Sequence, residues 1–153
     1  MPEASYQEEI LNRSWNEIPV PKLLPVGSYL LKGRNASYVN GKDEQSPKAL
    51  FFYVPKEAMD DVDGAALDEL GADYDFNANQ IVYTMWLETP QNWDAMRQHL
   101  AKHGITTEDR SLKETLKDFK GTEVIAYLNT RNFQNRAGET VTENNPTAFV
   151  KVE

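Results

Sequence analysis

The sequence predicts a mainly β fold of five strands, with helices inserted after the second and the third strand. The chain of 153 residues is 40% hydrophobic and 26% charged, a globular composition with enough apolar residues for one core. Five short segments alternate with the period of two that is typical of strands, and two segments after the third strand show helical spacing with start and stop signals. We therefore expect one domain over residues 27–153, preceded by an extended N-terminal arm over residues 1–26.

The first strand is predicted from Gly27 to Arg34, because Tyr29 and Leu31 share one face while the opposite face becomes basic. Closely spaced prolines between residues 18 and 25 prevent a helix before this strand. They favour an extended lead-in, which accounts for the predicted arm.

The second strand is predicted from Lys48 to Val54, and both of its faces carry bulky apolar groups. We expect Leu50 and Phe52 to point into the core. Phe51 and Tyr53 then lie on the opposite face, where they either stack on a ligand or are covered by another element.

The third strand is predicted from Gln80 to Glu88 by the same alternation, with Ile81 and Met85 on the core face. Its second face carries the aromatic residue Trp86. Like Phe51 and Tyr53, this side chain either stacks on a ligand or is covered by another element.

Three helices are predicted from spacing and capping signals. The acidic segment 57–75 begins as a short helix between strands two and three. Thr89 is an N-cap followed by proline, and the helix that it starts stops at Gly104. Thr107 caps the next helix, which stops at Gly121.

The fourth strand is predicted from Thr122 to Thr130 and the fifth from Thr147 to Val152. Polar stretches over residues 35–47 and 131–146 predict long loops after the first and the fourth strand. The expected core consists of residues on the more consistently apolar face of each element: Tyr29, Leu31, Leu50, Phe52, Ile81, Met85, Leu112, Leu116, Val124, Ala126, Leu128 and Val150.

Charge is segregated along the chain. The net charge is −8, and segment 57–75 contains eight acidic and no basic residues, so the remainder is neutral. A negative net charge argues against a nucleic-acid partner, because affinity for phosphate depends on lysine and arginine. Residues 22–48, however, carry a net positive charge, so the net charge of the chain does not exclude such a partner. The acidic segment could mimic phosphate in the protein's own groove, dock a basic partner or increase solubility, and we prefer solubility.

Several classes of protein are disfavoured by what the sequence lacks. Without cysteine there is no disulfide framework and no thiolate zinc site. No phosphate-binding loop, nucleophile elbow or dinucleotide fingerprint occurs, so we expect no catalytic residue, no cofactor and no enzyme. The sequence has neither a signal peptide nor a stretch of membrane-spanning length, so we expect a cytoplasmic protein that is not bound to a membrane.

His99 and His103 stand four residues apart on a predicted helix, a spacing that can chelate zinc if a third ligand is supplied. Neither a His-Glu-x-x-His pattern nor a cysteine accompanies them. We therefore expect two surface histidines and no metal.

The order of elements, with helices between strands three and four and long loops after strands one and four, is that of the OB-fold, a five-stranded Greek-key barrel. The sequence also resembles the OB-fold single-stranded DNA-binding proteins that bacteriophages encode. The resemblance is spread over nearly the whole domain: the lead-in from Trp15 to Lys32 with Leu24-Pro-Val-Gly-Ser-Tyr29, the strand from Leu50 to Pro55, the helix from Trp93 to Gly104, the segment from Phe119 to Val124, and Asn144-Asn-Pro before the last strand.

The resemblance implies sequence-tolerant single-stranded DNA binding in phage replication or recombination, in the cytoplasm of the bacterial host. Such binding needs cations for the backbone and exposed rings for the bases. The candidate residues are Lys32, Arg34, Tyr38, Lys42, Lys48, Phe51, Tyr53, Trp86, Arg131, Phe133 and Arg136. RNA binding is not excluded, replication or recombination proteins are possible partners, and the oligomeric state stays open. The alternative is an OB-type module that binds protein in a phage replication or assembly complex.

Overall fold

Five strands and three helices form the part of the chain that the computed structural model describes, which is residues 23–40, 47–71, 74–76, 79–134 and 137–152. Most of the predicted arm, Lys42 and Arg136 lie outside these residues. The elements are β1 (Gly27–Val39), β2 (Lys48–Ala58), α1 (Gly64–Asp68), β3 (Ile81–Trp86), α2 (Pro90–Lys102), α3 (Leu112–Asp118), β4 (Glu123–Gln134) and β5 (Thr140–Lys151).

The strands form one antiparallel sheet in the order β3-β2-β1-β4-β5. This confirms the predicted mainly β class and the five strands. The two edge strands approach each other, and the ring centroids of Tyr83 in β3 and Phe149 in β5 are 4.8 Å apart. No ladder of hydrogen bonds pairs β3 with β5 within the described residues, so the described sheet is curled but not closed.

Four strands are longer than predicted, and the acidic helix is shorter. β1 continues to Val39, while β4 and β5 extend as a ribbon through most of the polar stretch that was predicted to be a loop. In the acidic segment the chain stays in β2 as far as Ala58, and the helix occupies only Gly64–Asp68. Backbone hydrogen bonds between neighbouring strands stabilise these polar strand ends. The ends lack alternating hydrophobic residues, so the sequence pattern did not predict them as strands.

The long helix α2 begins as predicted. The Thr89 hydroxyl accepts a hydrogen bond from the Asn92 backbone N–H at 3.2 Å, and the Asn92 carboxamide accepts one from the Thr89 N–H at 3.1 Å. These reciprocal bonds satisfy donors that the first helical turn leaves free. The cap of α3 is Ser111 rather than Thr107, and its hydroxyl accepts from the Glu114 N–H at 3.2 Å.

The core lies inside the curled sheet and is closed by the two longer helices. As predicted, it contains fully buried residues of β1, β3 and β4: Tyr29, Leu31, Ile81, Val124, Ala126 and Leu128. Met85, Leu112 and Leu116 are partly buried and pack against this cluster.

The predicted orientation of β2 is wrong. Phe51 and Tyr53 are 0% exposed and pack on Phe119, with both ring-centroid distances 5.1 Å, whereas Leu50 and Phe52 point away from the core and are only half-buried. Both faces of this strand are apolar, so alternation alone could not distinguish the inner from the outer face.

Val150 was also wrongly placed in the core, because β5 contains a bulge. The register with β4 shifts by one residue there, and Ala148 takes a φ of 48°, in the left-handed region. The extra residue reverses the alternation, so Phe149 points inward with 8% exposure and Val150 outward with 56%.

Candidate nucleic-acid interface

The outward side chains of β1, β2 and β3 form a continuous surface, which we call the outer face. Residues directly opposite each other in antiparallel strands share a face, so the strand register defines its cross-strand rows. The rows are Val39–Lys48–Trp86, Ser37–Leu50–Thr84, Asn35–Phe52–Val82, Lys32–Val54 and Leu30–Glu57. The three rows nearest Trp86 contain no acidic residue, although the whole chain carries −8. Glu57 lies in the row farthest from Trp86, and Glu123 of β4 lies opposite Lys32.

Trp86 is the most exposed aromatic side chain on the outer face. Its exposure is 51%, and the Lys48 ammonium lies 5.2 Å from the centroid of its ring. This is a cation–π contact, which orients the indole and places a positive charge beside it. Val82 in the same strand is exposed, while Leu50 and Phe52 in the neighbouring strand β2 are half-buried. The outer face is therefore an apolar platform with cations at its margin.

Arg34 lies beside the outer face at a bulge in β1. The register with β2 shifts between Gly33 and Asn35, so Arg34 is the extra residue, and its side chain is exposed. Gly33 is required here, because an added Cβ would collide with the carbonyl oxygen of Phe119, and the Gly33 N–H donates to the Thr122 carbonyl at 2.7 Å. The bulge thus brings β1 close to the segment that enters β4.

The ribbon formed by residues 129–134 of β4 and 140–145 of β5 carries the second group of candidate residues. The Arg131 guanidinium lies 5.6 Å from the centroid of the Phe133 ring and forms an ion pair with Glu143 at 3.1 Å. Phe133 is 36% exposed, so it is not a core residue. The ribbon therefore presents an accessible aromatic ring, Phe133, and a cation, Arg131, whose charge is partly neutralised by Glu143.

Asn144 anchors the ribbon to the end of the N-terminal arm. Its carboxamide oxygen accepts from the Leu24 N–H and its amide nitrogen donates to the Leu24 carbonyl, both at 3.0 Å. Asn144 is buried, so these two bonds satisfy polar groups that could not reach water.

Two of the predicted stacking residues are excluded by burial, since the fully buried Phe51 and Tyr53 cannot contact a base. Tyr38 is exposed, but it pairs with the buried Ala49 and therefore lies on the opposite side of β1 from the outer face. Lys32, Arg34, Lys48 and Trp86 lie on or beside the outer face. Arg131 and Phe133 lie on the ribbon.

Sequence reasoning missed the outward aromatic residue of β2, Phe52, and its neighbours Leu50 and Val82. A signal for them was present, because Lys48 and Lys56 bracket the even-numbered positions of β2, whereas Ala49 and Pro55 bracket the odd-numbered ones. Lysine is almost never fully buried without a partner, so the even-numbered face is the one expected to meet solvent.

The two histidines are buried rather than on the surface, and they form a hydrogen-bonded chain with Tyr53. The Tyr53 hydroxyl is 2.9 Å from Nε2 of His99 and 2.8 Å from Nε2 of His103, and Nδ1 of His103 is 2.7 Å from the His99 carbonyl oxygen. A carbonyl only accepts, so His103 carries its proton on Nδ1. In the neutral chain Tyr53 then donates to His103, and His99 donates to Tyr53.

Burial keeps the hydrogen-bonded side chains of Tyr53, His99 and His103 uncharged. It lowers the pKa of His99 to about 3, with smaller contributions from the nearby His103 and Lys102. It also lowers the pKa of His103, against the opposite effect of the hydrogen bond to His99, and raises the pKa of Tyr53. The spacing of four residues between His99 and His103, which suggested metal chelation, therefore places both side chains in a hydrogen-bonded cluster in the core. Among the described residues, no three His, Cys, Asp or Glu side chains are grouped so as to hold a metal ion.

Two residues of the acidic segment have local structural roles. The Asp61 carboxylate accepts from the Ser28 N–H at 2.8 Å and from the Ser28 hydroxyl at 2.7 Å, and these bonds lower the pKa of Asp61. Asp63 caps α1 by accepting from the Ala65 N–H at 3.1 Å. The segment is thereby fixed to the start of β1.

Comparison of the sequence with protein-family models and with curated proteins found no match. Within the described part of the chain, no helix is both long enough and apolar enough to cross a membrane.

Proposed function

We propose that this protein binds single-stranded DNA through the outer face, as a bacteriophage-type OB-fold protein of replication or recombination. The strand order β3-β2-β1-β4-β5 and the helices between β3 and β4 support an OB-type Greek-key barrel. The approach of Tyr83 to Phe149 supports closure of that barrel between β3 and β5. In this fold the face of strands two and three and the loops after strands one and four bind oligonucleotides.

The observation that carries the proposal is the combination of an exposed indole, a cation beside it and the absence of acidic residues from the three rows of the outer face nearest to them. Trp86 and Lys48 provide the stacking ring and a positive charge for the backbone, and Lys32 lies on the same face. Stacking of a base on an aromatic ring contributes about 1–3 kcal/mol and tolerates any base. In a chain with a net charge of −8, the absence of acidic residues from these three rows supports an anionic ligand at Trp86.

The ribbon supplies the opposite wall of the proposed groove. When a strand is bound, the Arg131 guanidinium exchanges its exposed ion pair with Glu143 for a phosphate, at little cost because such pairs contribute about 0–1 kcal/mol. Phe133, held under Arg131, is then available to a second base.

The test compares Trp86→Ala with Trp93→Ala in a fluorescence-anisotropy titration of labelled oligothymidylate. Trp93 is the matched control, because it is also an exposed tryptophan, at 39%, but lies in α2. We expect Trp86→Ala to weaken binding about 5- to 150-fold, which corresponds to the loss of one stacked base, and Trp93→Ala to bind normally. Equal affinities of wild type and Trp86→Ala would refute the proposed interface, and the same titration with oligouridylate compares DNA with RNA.

Protein binding is the second candidate function, because Val82 is exposed and the half-buried Leu50 and Phe52 continue the apolar platform. It predicts that wild type binds no oligonucleotide at any salt concentration. It also predicts that Trp86→Ala abolishes capture of a phage replication or assembly protein.

A further inference from the structure

A second basic surface lies between β1 and α3, in a cleft of about 570 Å³. Three lysines, Lys113, Lys117 and Lys120, line it together with Tyr38, and no acidic residue does. Its apolar floor includes Leu116. Tyr38 faces the side of β1 opposite to the outer face, whereas Asn35 and Ser37 belong to the outer-face rows, so the cleft borders the outer face along β1.

The helix that lines the cleft separates its charges into two faces. Lys113 and Lys117 are four residues apart and therefore share one side of α3, and Lys120 lies in the turn after the helix and lines the same cleft. The acidic residues of α3 are engaged elsewhere: Arg110 Nη2 lies 2.6 Å from Asp118, and Arg110 Nε lies 3.9 Å from Glu114. Within the described part of the chain, none of the three lysines forms an ion pair.

The composition of the cleft matches a nucleic-acid strand better than it matches a simple anion. Tyr38 is 41% exposed and gives the cleft an accessible ring opposite the lysines. Lys113 and Lys117 are about 6 Å apart along the helix axis, at about 1.5 Å per residue, and Lys120 lies beyond the end of the helix, so the three lysines are spread along the cleft. Cations along a backbone track with a ring beside them are the features that single strands require.

The cleft and the outer face meet at the free edge of β1. Beyond Lys32, β1 pairs with β2 but no longer with β4, so the described structure has no strand on its other side. The exposed Arg34 lies in this stretch. Val39 belongs to the outer face and its neighbour Tyr38 to the cleft, so the two surfaces adjoin at consecutive residues of β1.

We propose that a bound single strand passes from the outer face over the free edge of β1 into this cleft. Lys113, Lys117 and Lys120 hold its phosphates there, and Tyr38 stacks on a base. This inference rests on the proposed DNA-binding function and extends the strand's path to α3, so short oligonucleotides occupy only the outer face.

The experiment compares two triple variants that each remove three exposed positive charges. Lys113→Gln/Lys117→Gln/Lys120→Gln alters the cleft, and Arg97→Gln/Lys102→Gln/Lys151→Gln is the control. Affinity for oligothymidylates of increasing length is measured against salt concentration. For long oligonucleotides we expect the logarithmic salt slope of the cleft variant to fall by about 2, at roughly 0.7 for each phosphate that is no longer neutralised, and that of the control to stay at the wild-type value. With the shortest oligonucleotides that bind, all three proteins should agree.

The outcomes separate this inference from the proposed function. If wild type binds no single strand, the proposed function fails and the inference fails with it. If wild type binds but both triple variants show the same slope on long oligonucleotides, only the inference fails. A cleft variant with normal DNA binding but altered sedimentation mass would show that the cleft docks protein, which also overturns it. Equal thermal midpoints of the three proteins verify that the slopes compare folded molecules.

Discussion

Acidification should destabilise this protein in a pH range where only its histidines titrate. The chain contains two histidines, and both are buried and neutral in the Tyr53-centred chain. In the unfolded chain they take up protons below a pKa of about 6.5, whereas the folded pKa of His99 is about 3 and that of His103 is also lowered. The unfolded state therefore binds more protons as the pH falls, and the free energy of unfolding decreases below about pH 6.5.

The magnitude follows from this difference in proton uptake. Between pH 7.0 and 5.5, a histidine that titrates at about 6.5 only when unfolded removes about 1.3 kcal/mol of stability. His99 contributes this full amount and His103 up to the same amount, so we expect a loss of about 1.3–2.5 kcal/mol. For His99 the loss continues to about pH 3 and then levels off.

The assay is urea denaturation at several pH values from 7.0 to 5.5, in which carboxylates contribute little. The control is His99→Gln/His103→Gln, which should be less stable than wild type at pH 7.0 but should lose less stability between the two pH values. A wild-type free energy of unfolding that is constant from pH 7.0 to 5.5 would refute the buried neutral chain. A steeper loss in the double variant would refute it as well.

Three substitutions test the remaining structure. Phe149→Ala should lower the free energy of unfolding by about 3–5 kcal/mol and Val150→Ala by less than about 1 kcal/mol, measured by urea denaturation, and the reverse order would contradict the β5 bulge. Gly33→Ala should lower the thermal midpoint, because the added methyl group meets the Phe119 carbonyl, and an unchanged midpoint would show that the 119–122 segment can move away. Phe133→Ala should weaken oligonucleotide binding by about 1–3 kcal/mol with an unchanged thermal midpoint, whereas a large fall in midpoint with normal affinity would make Phe133 structural.

The sequence predicted the elements whose two faces differ chemically. β1 has apolar Tyr29 and Leu31 on one face and Lys32 on the other, and α2 has a threonine cap and a following proline, so both were placed correctly. The orientation of β2 was not predictable from alternation, because Phe51 and Phe52 are equally apolar. Its direction is set by contacts with Phe119 and the histidines, which are distant in sequence.

Lys48 and Trp86 were chosen as candidate residues from their local sequence, whereas their contact with each other could not be predicted. Lys48 and Trp86 become neighbours only through the β2–β3 pairing, and Phe52 joins them by the same register. The β5 bulge at Ala148 has no signal in hydrophobic alternation, since it depends on one residue with positive φ. The lysine cleft likewise requires α3 to lie against β1, which no local pattern shows.

The segregation of charge is compatible with the proposed binding of a polyanion by this acidic protein. Asp61 fixes the acidic segment to Ser28, whereas Val39, Lys48 and Trp86 form the far row of the outer face. Ser28 and Val39 lie about eleven residues apart in β1, which is up to about 35 Å along the strand at roughly 3.3 Å per residue. The Debye length at physiological salt is about 8 Å, so the fixed acids are screened from a strand bound at that row.

The net charge should therefore affect the rate of association, whereas the local cations should determine the affinity at physiological salt. At low salt the Debye length is longer, so the electric field of the acidic segment extends over the whole molecule. This field repels an approaching polyanion and slows association. At physiological salt the affinity depends on the few cations that touch phosphate, and its salt slope reports their number. An acidic segment fixed at the opposite end of β1 is therefore compatible with a phosphate contact at Lys48, whereas the same charges beside Trp86 would cancel the charge of that lysine.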